Sequence, residues 1–178
     1  HETREIMSAT PSAMLPLAAV VALFTLTACS SAPKSTDTAS RSHETLVVQQ
    51  KAPIFVDVDI KAAGKSVGDL YIFGAAVTDS KGRSGSLTGT LIVVDAVDPK
   101  TGKAWETRLG DLTFILGGEQ LLVKGASVYP RADREMEVNK PQVRAVVGGT
   151  GSFVGVDGDV STVRNADGTY THTFRLLR

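Results

Sequence analysis

Asp57 and Asp59 stand two residues apart in the run 53–60, PIFVDVDI. On a strand they share a face. Two carboxylates buried side by side repel, which raises the pKa of one and makes it a general acid or base. The opposite face of the run carries Ile54, Val56, Val58 and Ile60. The competing reading turns that apolar row toward a cavity and leaves both aspartates in water, where carboxylates usually sit. Near the C-terminus, Tyr170, His172 and Phe174 share a face, as Tyr71 and Phe73 do earlier. Either row, turned inward, lines a cavity with aromatic rings. His172 is then the imidazole available for proton transfer near neutral pH. The candidate catalytic residues are therefore Asp57, Asp59 and His172. The candidate ligand-binding residues are Tyr71, Phe73, Trp105 and Phe114.

Other chemistries find no support. Histidines occur at His1, His43 and His172, too scattered for a metal site, and the single cysteine excludes an intrachain disulfide and a multi-cysteine zinc site. Asp157 and Asp159 repeat the two-apart spacing, but a calcium site needs several more oxygens brought together. The cluster Gly148-Gly149-Thr150-Gly151 lacks the following helix that a phosphate cradle requires, and reads as a turn. Neither a G-x-S-x-G elbow nor an H-E-x-x-H motif occurs. No metal and no cofactor is expected. Lys plus Arg equals Asp plus Glu at 19 each, which argues against a nucleic-acid partner.

The elements that must position these residues are strands. Hydrophobic residues make up 42% of the 178-residue chain, enough for one domain and an appendage. Alternating runs at 53–60, 69–79, 86–97, 104–116, 119–129, 141–147, 152–163 and 169–177 are separated by turn residues such as Asp98-Pro99 and Asp167-Gly168. The run 104–116 reads as one long strand with a bulge between Leu109 and Leu112. The charged segment 131–140 reads as irregular. Eight strands in a chain of this size fit an all-β fold, an eight-stranded antiparallel barrel able to enclose one small ligand.

The N-terminus reads differently. Leu15 to Ala28 is an uncharged apolar run of 14 residues, about 21 Å as a helix. That falls short of a ~30 Å hydrocarbon core and suits a signal peptide. Leu26-Thr27-Ala28-Cys29 resembles the bacterial lipobox, so Cys29 is the expected lipidation site. The expected organisation is a signal peptide at 1–29, a flexible Ser- and Thr-rich linker at 30–48 and the barrel at 49–178. The expected location is outside the cytoplasmic membrane, either anchored to the bacterial cell envelope by lipid or extracellular.

Several motifs point to a family. Gly68-Asp69-Leu70 with Phe73, then Thr78-Asp79 and Gly82, is similar to the GD…F…YD…G stretch of allene oxide cyclases and dirigent proteins. Ser86-Leu87-Thr88-Gly89 matches their glycine-bearing third strand, and Thr113-Phe114 through Gly125 their fourth-to-fifth hairpin. Residues 145–158, AVVGGTGSFVGVDG, resemble the (V/I)xGGTGxFxGxxG signature of that barrel superfamily. The resemblance implies an eight-stranded barrel with an apolar cavity, commonly a homodimer or homotrimer. It implies a small hydrophobic molecule as partner, whose cyclisation or coupling the barrel steers. In the plant enzymes that molecule is an epoxy fatty acid, in dirigent proteins a phenoxy radical, and in bacterial relatives a polyketide chain. The cyclases' first-strand Glu and the position two residues on fall on Asp57 and Asp59. Their third-strand cysteine falls near Leu91, and the arginine of the dirigent Arg-Gly falls on Asp157. The competing function is a non-catalytic carrier of hydrophobic molecules or a structural envelope protein.

Overall fold

The computed structural model describes residues 41–61, 63–95 and 105–178. The expected signal peptide, Cys29 and most of the linker lie outside these residues. The strands are β1 (His43–Gln50), β2 (Ile54–Val58), β3 (Leu70–Asp79), β4 (Ser84–Val93), β5 (Trp105–Leu116), β6 (Glu119–Pro130), β7 (Gln142–Gly149), β8 (Asp157–Arg164) and β9 (Tyr170–Leu177). They form one sheet in the order β1-β9-β8-β7-β6-β5-β4-β3-β2. All the pairings are antiparallel, and β1 also pairs with β3. That last pairing closes a ring of eight strands, from β1 through β9 and back to β3.

β1 and β2 run along the same edge of β3. Val48 to Gln50 face Val77 to Asp79, and Ile54 to Val58 face Leu70 to Gly74. Pro53 separates them. It has no N–H to give a ladder, and β2 pairs with no described strand beyond β3. The barrel therefore parts on one side of its rim.

Three boundaries differ from the expectation. The barrel starts at His43, within the stretch expected to be linker to residue 48. Leu46 and Val48 are fully buried, so this strand is core. Its alternation is short and ends in two glutamines, which hides it in the sequence. β5 carries no bulge and pairs with β6 in unbroken register from Trp105↔Pro130 to Leu116↔Glu119. The slip lies between Leu122 and Val123 of β6, opposite Gly148 and Val146. β8 starts at Asp157, after a 3-10 turn at Gly151–Phe153 that follows the glycine cluster.

That cluster packs rather than binds. A Cβ on Gly149 would lie 2.3 Å from the Gln120 carbonyl oxygen. The Thr150 amide donates to that oxygen at 2.9 Å, and the Ser152 amide to Glu119 Oε1 at 2.9 Å. The turn is thus clamped onto the β5–β6 hairpin, and Phe153 is driven into the core.

The interior has two layers. At the end holding the β3–β4 and β5–β6 turns it is apolar, with Leu46, Val77, Leu116, Leu121, Phe174 and Leu176 among its members. At the other end, the mouth, Tyr71, Leu91, Val93, Tyr129, Met136 and Tyr170 form a second cluster. Met136 comes from the segment 131–141, which crosses the mouth as a lid.

Candidate functional site

Strand parity decides what reaches the interior. On β5, Glu106, Arg108, Gly110, Leu112, Phe114 and Leu116 share the buried face. Trp105 stands on the other face, 38% exposed, with Lys140 over its ring at 5.2 Å. Without a bulge, Trp105 and Phe114 cannot both face the lumen, and Trp105 does not. Phe73 and Phe114 line the lumen, and His172 reaches it from β9. Tyr71 is buried in the upper layer against Arg108.

The two aspartates do not form a pair. β2 presents Phe55 toward the lumen, and Asp57 follows on the same face. At the parted rim, however, Asp57 stays exposed and pairs with Arg134 of the lid at 2.9 Å. Asp59 lies beyond the strand and accepts from the amides of Lys61 at 3.3 Å and Gly64 at 3.1 Å. The apolar row does not line the cavity. Ile54 and Val56 are 79% and 59% exposed on the outer surface. Asp157 pairs with Arg41, and Asp159 with Arg175 at 2.8 Å.

His172 is enclosed. Thr162 Oγ1 lies 2.9 Å from Nδ1, and Gln50 Oε1 lies 2.8 Å from Nε2. A neutral ring satisfies both, accepting from the Thr162 hydroxyl and donating to Gln50. Phe114 packs edge-on to the ring, with centroids 4.8 Å apart. Burial, and then the charge of Arg144, lower the His172 pKa to about 3. The imidazole is therefore uncharged at neutral pH, and both of its nitrogens are engaged.

The lid is held by charge. Arg108 is fully buried between the rings of Tyr71 and Tyr129, at 4.0 and 4.3 Å. It donates from Nε to Glu106 at 2.7 Å and from its two terminal nitrogens to the Arg134 and Asp133 carbonyls at 2.7 and 2.6 Å. Arg164 donates to the Met136 carbonyl at 3.1 Å and pairs with Glu135. Tyr170 donates its hydroxyl to Glu135 at 3.2 Å. Burial, followed by the Glu135 charge, raises the Tyr170 pKa, so this phenol keeps its proton. With Met136 inserted, the free volume in the lumen is about 30 Å³. That is room for one or two waters.

Arg108, Glu106, Arg144 and Glu135 were not among the sequence candidates. The parity signal for the first two was present. The row 106, 108, 110 continues without a break into Leu112, Phe114 and Leu116. No sequence signal places Glu135, which reaches the lumen only because its segment folds over the mouth.

The comparisons agree on architecture. No family model and no curated protein matches the chain. Among solved structures, a pyocyanin demethylase aligns with a TM-score of 0.54 at 19% identity, over 76% of this chain and 99% of that one. A nonspecific heme-binding cyclase that catalyses [4 + 2] cycloaddition in neoabyssomicin biosynthesis aligns at 0.53 and 14%, over 79% and 65%. A pterocarpan synthase dirigent protein aligns at 0.52 and 13%, over 78% and 84%. The fold is the barrel of the cycloaddition cyclase and the dirigent protein. This chain closes its ring through β1 and β3 and follows its glycine cluster with a 3-10 turn. Its mouth carries two aspartates at the rim, a neutral histidine inside, and a lid pinned by Arg108 and Arg164.

Proposed function

We propose that this dirigent-type barrel admits a small hydrophobic molecule to its lumen and steers its cyclisation or coupling by holding it in one conformation. One observation carries the reading. The lumen is walled mostly by apolar and aromatic side chains, and its roof is a separate segment that inserts Met136. A closed volume of about 30 Å³ admits no such molecule. Small-molecule sites usually span about 300–1,000 Å³, so entry requires the lid to lift and Met136 to withdraw. Once the molecule is inside, orientation alone can lower a barrier by several kcal/mol, about 7–11 at the extreme.

The polar groups favour templating over strong acid–base chemistry. His172 is neutral, and its nitrogens are occupied. Asp57 and Asp59 are exposed. Any proton transfer falls to Glu135 and Tyr170, which meet at the lumen beneath the lid. The same arrangement suits a carrier that binds without converting, and turnover separates the two.

Two features of the setting belong to the proposal. The outer face exposes Ile54, Val56, Ile72, Ile92 and Leu109 around one groove, which supports assembly with further copies of this chain. The apolar run ending at Cys29 supports export and a lipid anchor.

The test is native mass spectrometry of the full chain, isolated from its own source without denaturation. A bound organic molecule of defined mass is expected, and Leu87→Trp, which fills the lumen, should abolish it. An empty protein whose Met136→Ala variant also takes up no apolar probe would overturn the reading. The same spectra give the number of copies.

A further inference from the structure

Several cations at the mouth have a carboxylate partner among the described residues. Arg108 is answered by Glu106, Arg164 by Glu135 and Arg134 by Asp57. Arg144, on the inward face of β7, has no carboxylate partner among the described residues. One terminal nitrogen donates to the Tyr129 hydroxyl at 2.8 Å. Its Nε is buried and makes no hydrogen bond. The residue is 4% exposed and lines the lumen. A buried, uncompensated guanidinium is costly, and sites that keep one commonly use it.

The barrel makes room for this side chain. Gly110 of β5 and Gly125 of β6 face each other in register. A Cβ on Gly110 would lie 3.0 Å from Arg144 Nε, and one on Gly125 would lie 3.3 Å from Arg144 Cγ. The paired glycines form a trough in which the arginine lies. A methyl group on Gly110 would crowd Nε and one on Gly125 would crowd the aliphatic stem, so the side chain would have to shift by a few tenths of an ångström.

We infer that Arg144 is the recognition group for one anionic oxygen, a carboxylate or a phenolate, on an otherwise apolar ligand. The inference rests on the lumen-binding reading and adds the substrate class. The free Nε–H provides a donor for that oxygen, and the planar guanidinium suits a carboxylate fork. The Tyr129 hydroxyl and the neutral His172 edge lie in the same wall and are uncharged, and the carboxylate that lines the lumen, Glu135, is already paired with Arg164. Beyond them the lumen is lined by Phe73, Leu87, Phe114 and Val123, so a polyanion would leave charge stranded. A single anchored end also fixes which way the apolar remainder lies, which a steering barrel needs.

Calorimetry on the full chain tests this with three probes of similar size: 3-phenylpropionate, its neutral amide, and 4-nitrophenolate at mildly alkaline pH. At least one anion should bind about tenfold tighter than the amide, and the tighter anion identifies the oxygen type. Arg144→Met should remove that preference while leaving amide binding in place, and Arg144→Lys should retain part of it. On the wild-type chain, the Arg144 Nε–H resonance should shift downfield with the anion and stay put with the amide. That measurement decides the matter even if the Met variant does not fold. Equal binding of anion and amide, a preference that survives Arg144→Met, or an unmoved Nε–H overturns the inference and leaves the lumen reading intact. Failure of all three probes to bind overturns both.

Discussion

The two ends of the barrel interior are built by the same strands from different materials. On β5, Leu112, Phe114 and Leu116 sink into the apolar end, and Glu106 and Arg108 rise into the mouth. On β9, Phe174 and Leu176 lie below, and Tyr170 and His172 above. Apolar burial at the closed end stabilises the ring by about 25 cal/mol per Å² removed from water. The buried polar groups at the mouth contribute little net stability even when paired. Stability and chemistry are thus segregated along the barrel axis, and the closed end holds the ring while the mouth holds costly groups.

The largest effect that could break this contrast lies at the boundary of the layers. Phe114 is 1% exposed and packs edge-on against both Phe174 and His172. Phe114→Ala should lower the unfolding free energy by about 3–5 kcal/mol, read from urea denaturation. A loss below about 1 kcal/mol would mean that the apolar end does not hold the ring.

The next effect is one of pH. His172 has a folded pKa of about 3 against an unfolded value near 6.5. The unfolded chain therefore takes up the proton first as pH falls. The stability tied to the neutral ring is complete above pH 6.5 and is lost as the pH drops toward 3. Its full size is on the order of 5 kcal/mol. Urea midpoints between neutrality and mild acid should fall more steeply for the wild type than for His172→Gln. Equal slopes would show that the ring titrates normally.

A smaller effect should have the opposite sign. Arg144→Met replaces an uncompensated buried cation by an apolar chain of similar length. Unfolding should be unchanged or harder by about 1–4 kcal/mol, since apolar replacement of a buried charge is often stabilising. A large destabilisation, seen as a lowered thermal midpoint, would make Arg144 a structural residue of the mouth.

The closed end was more legible in the sequence than the mouth, for a physical reason. Alternation with period two reports which residues share a face, so the rows Tyr71–Phe73 and Tyr170–His172–Phe174 were readable, and both turned out to face inward. Alternation does not say which face is inside, and for β2 the apolar row lies outside because the strand has left the ring at Pro53. Nor does it choose between lumen and outer surface for Trp105, which shares a face with Thr107 and Leu109 and lies outside. The strand at His43–Gln50 was obscured because its inward end is Gln50, a polar residue buried only to meet His172. The lid was legible only as a charged, irregular segment, without its place over the mouth. Its ties run to Arg108, Arg164 and Tyr170, residues 25 or more positions away in the chain.

The smallest effect concerns that lid and sharpens the contrast most. The amides of Asp133 and Glu135 bond within their own segment, to the Pro130 carbonyl at 3.0 Å and the Asp133 side chain at 3.1 Å. The amides of β5 and β6 belong to an unbroken two-strand ladder. Local opening of the lid therefore costs less than opening the ring, and its amides should exchange with solvent faster than those of β5 and β6. The Arg134–Asp57 pair is exposed at both partners, so Arg134→Ala should cost less than about 1 kcal/mol of global stability. It should nonetheless speed lid exchange by a few fold, because it removes the tie between the lid and the parted rim. Uniform acceleration across lid and ring would mean that the two open together. The mouth would then be part of the cooperative core, and entry to the lumen would require unfolding rather than a lifted roof.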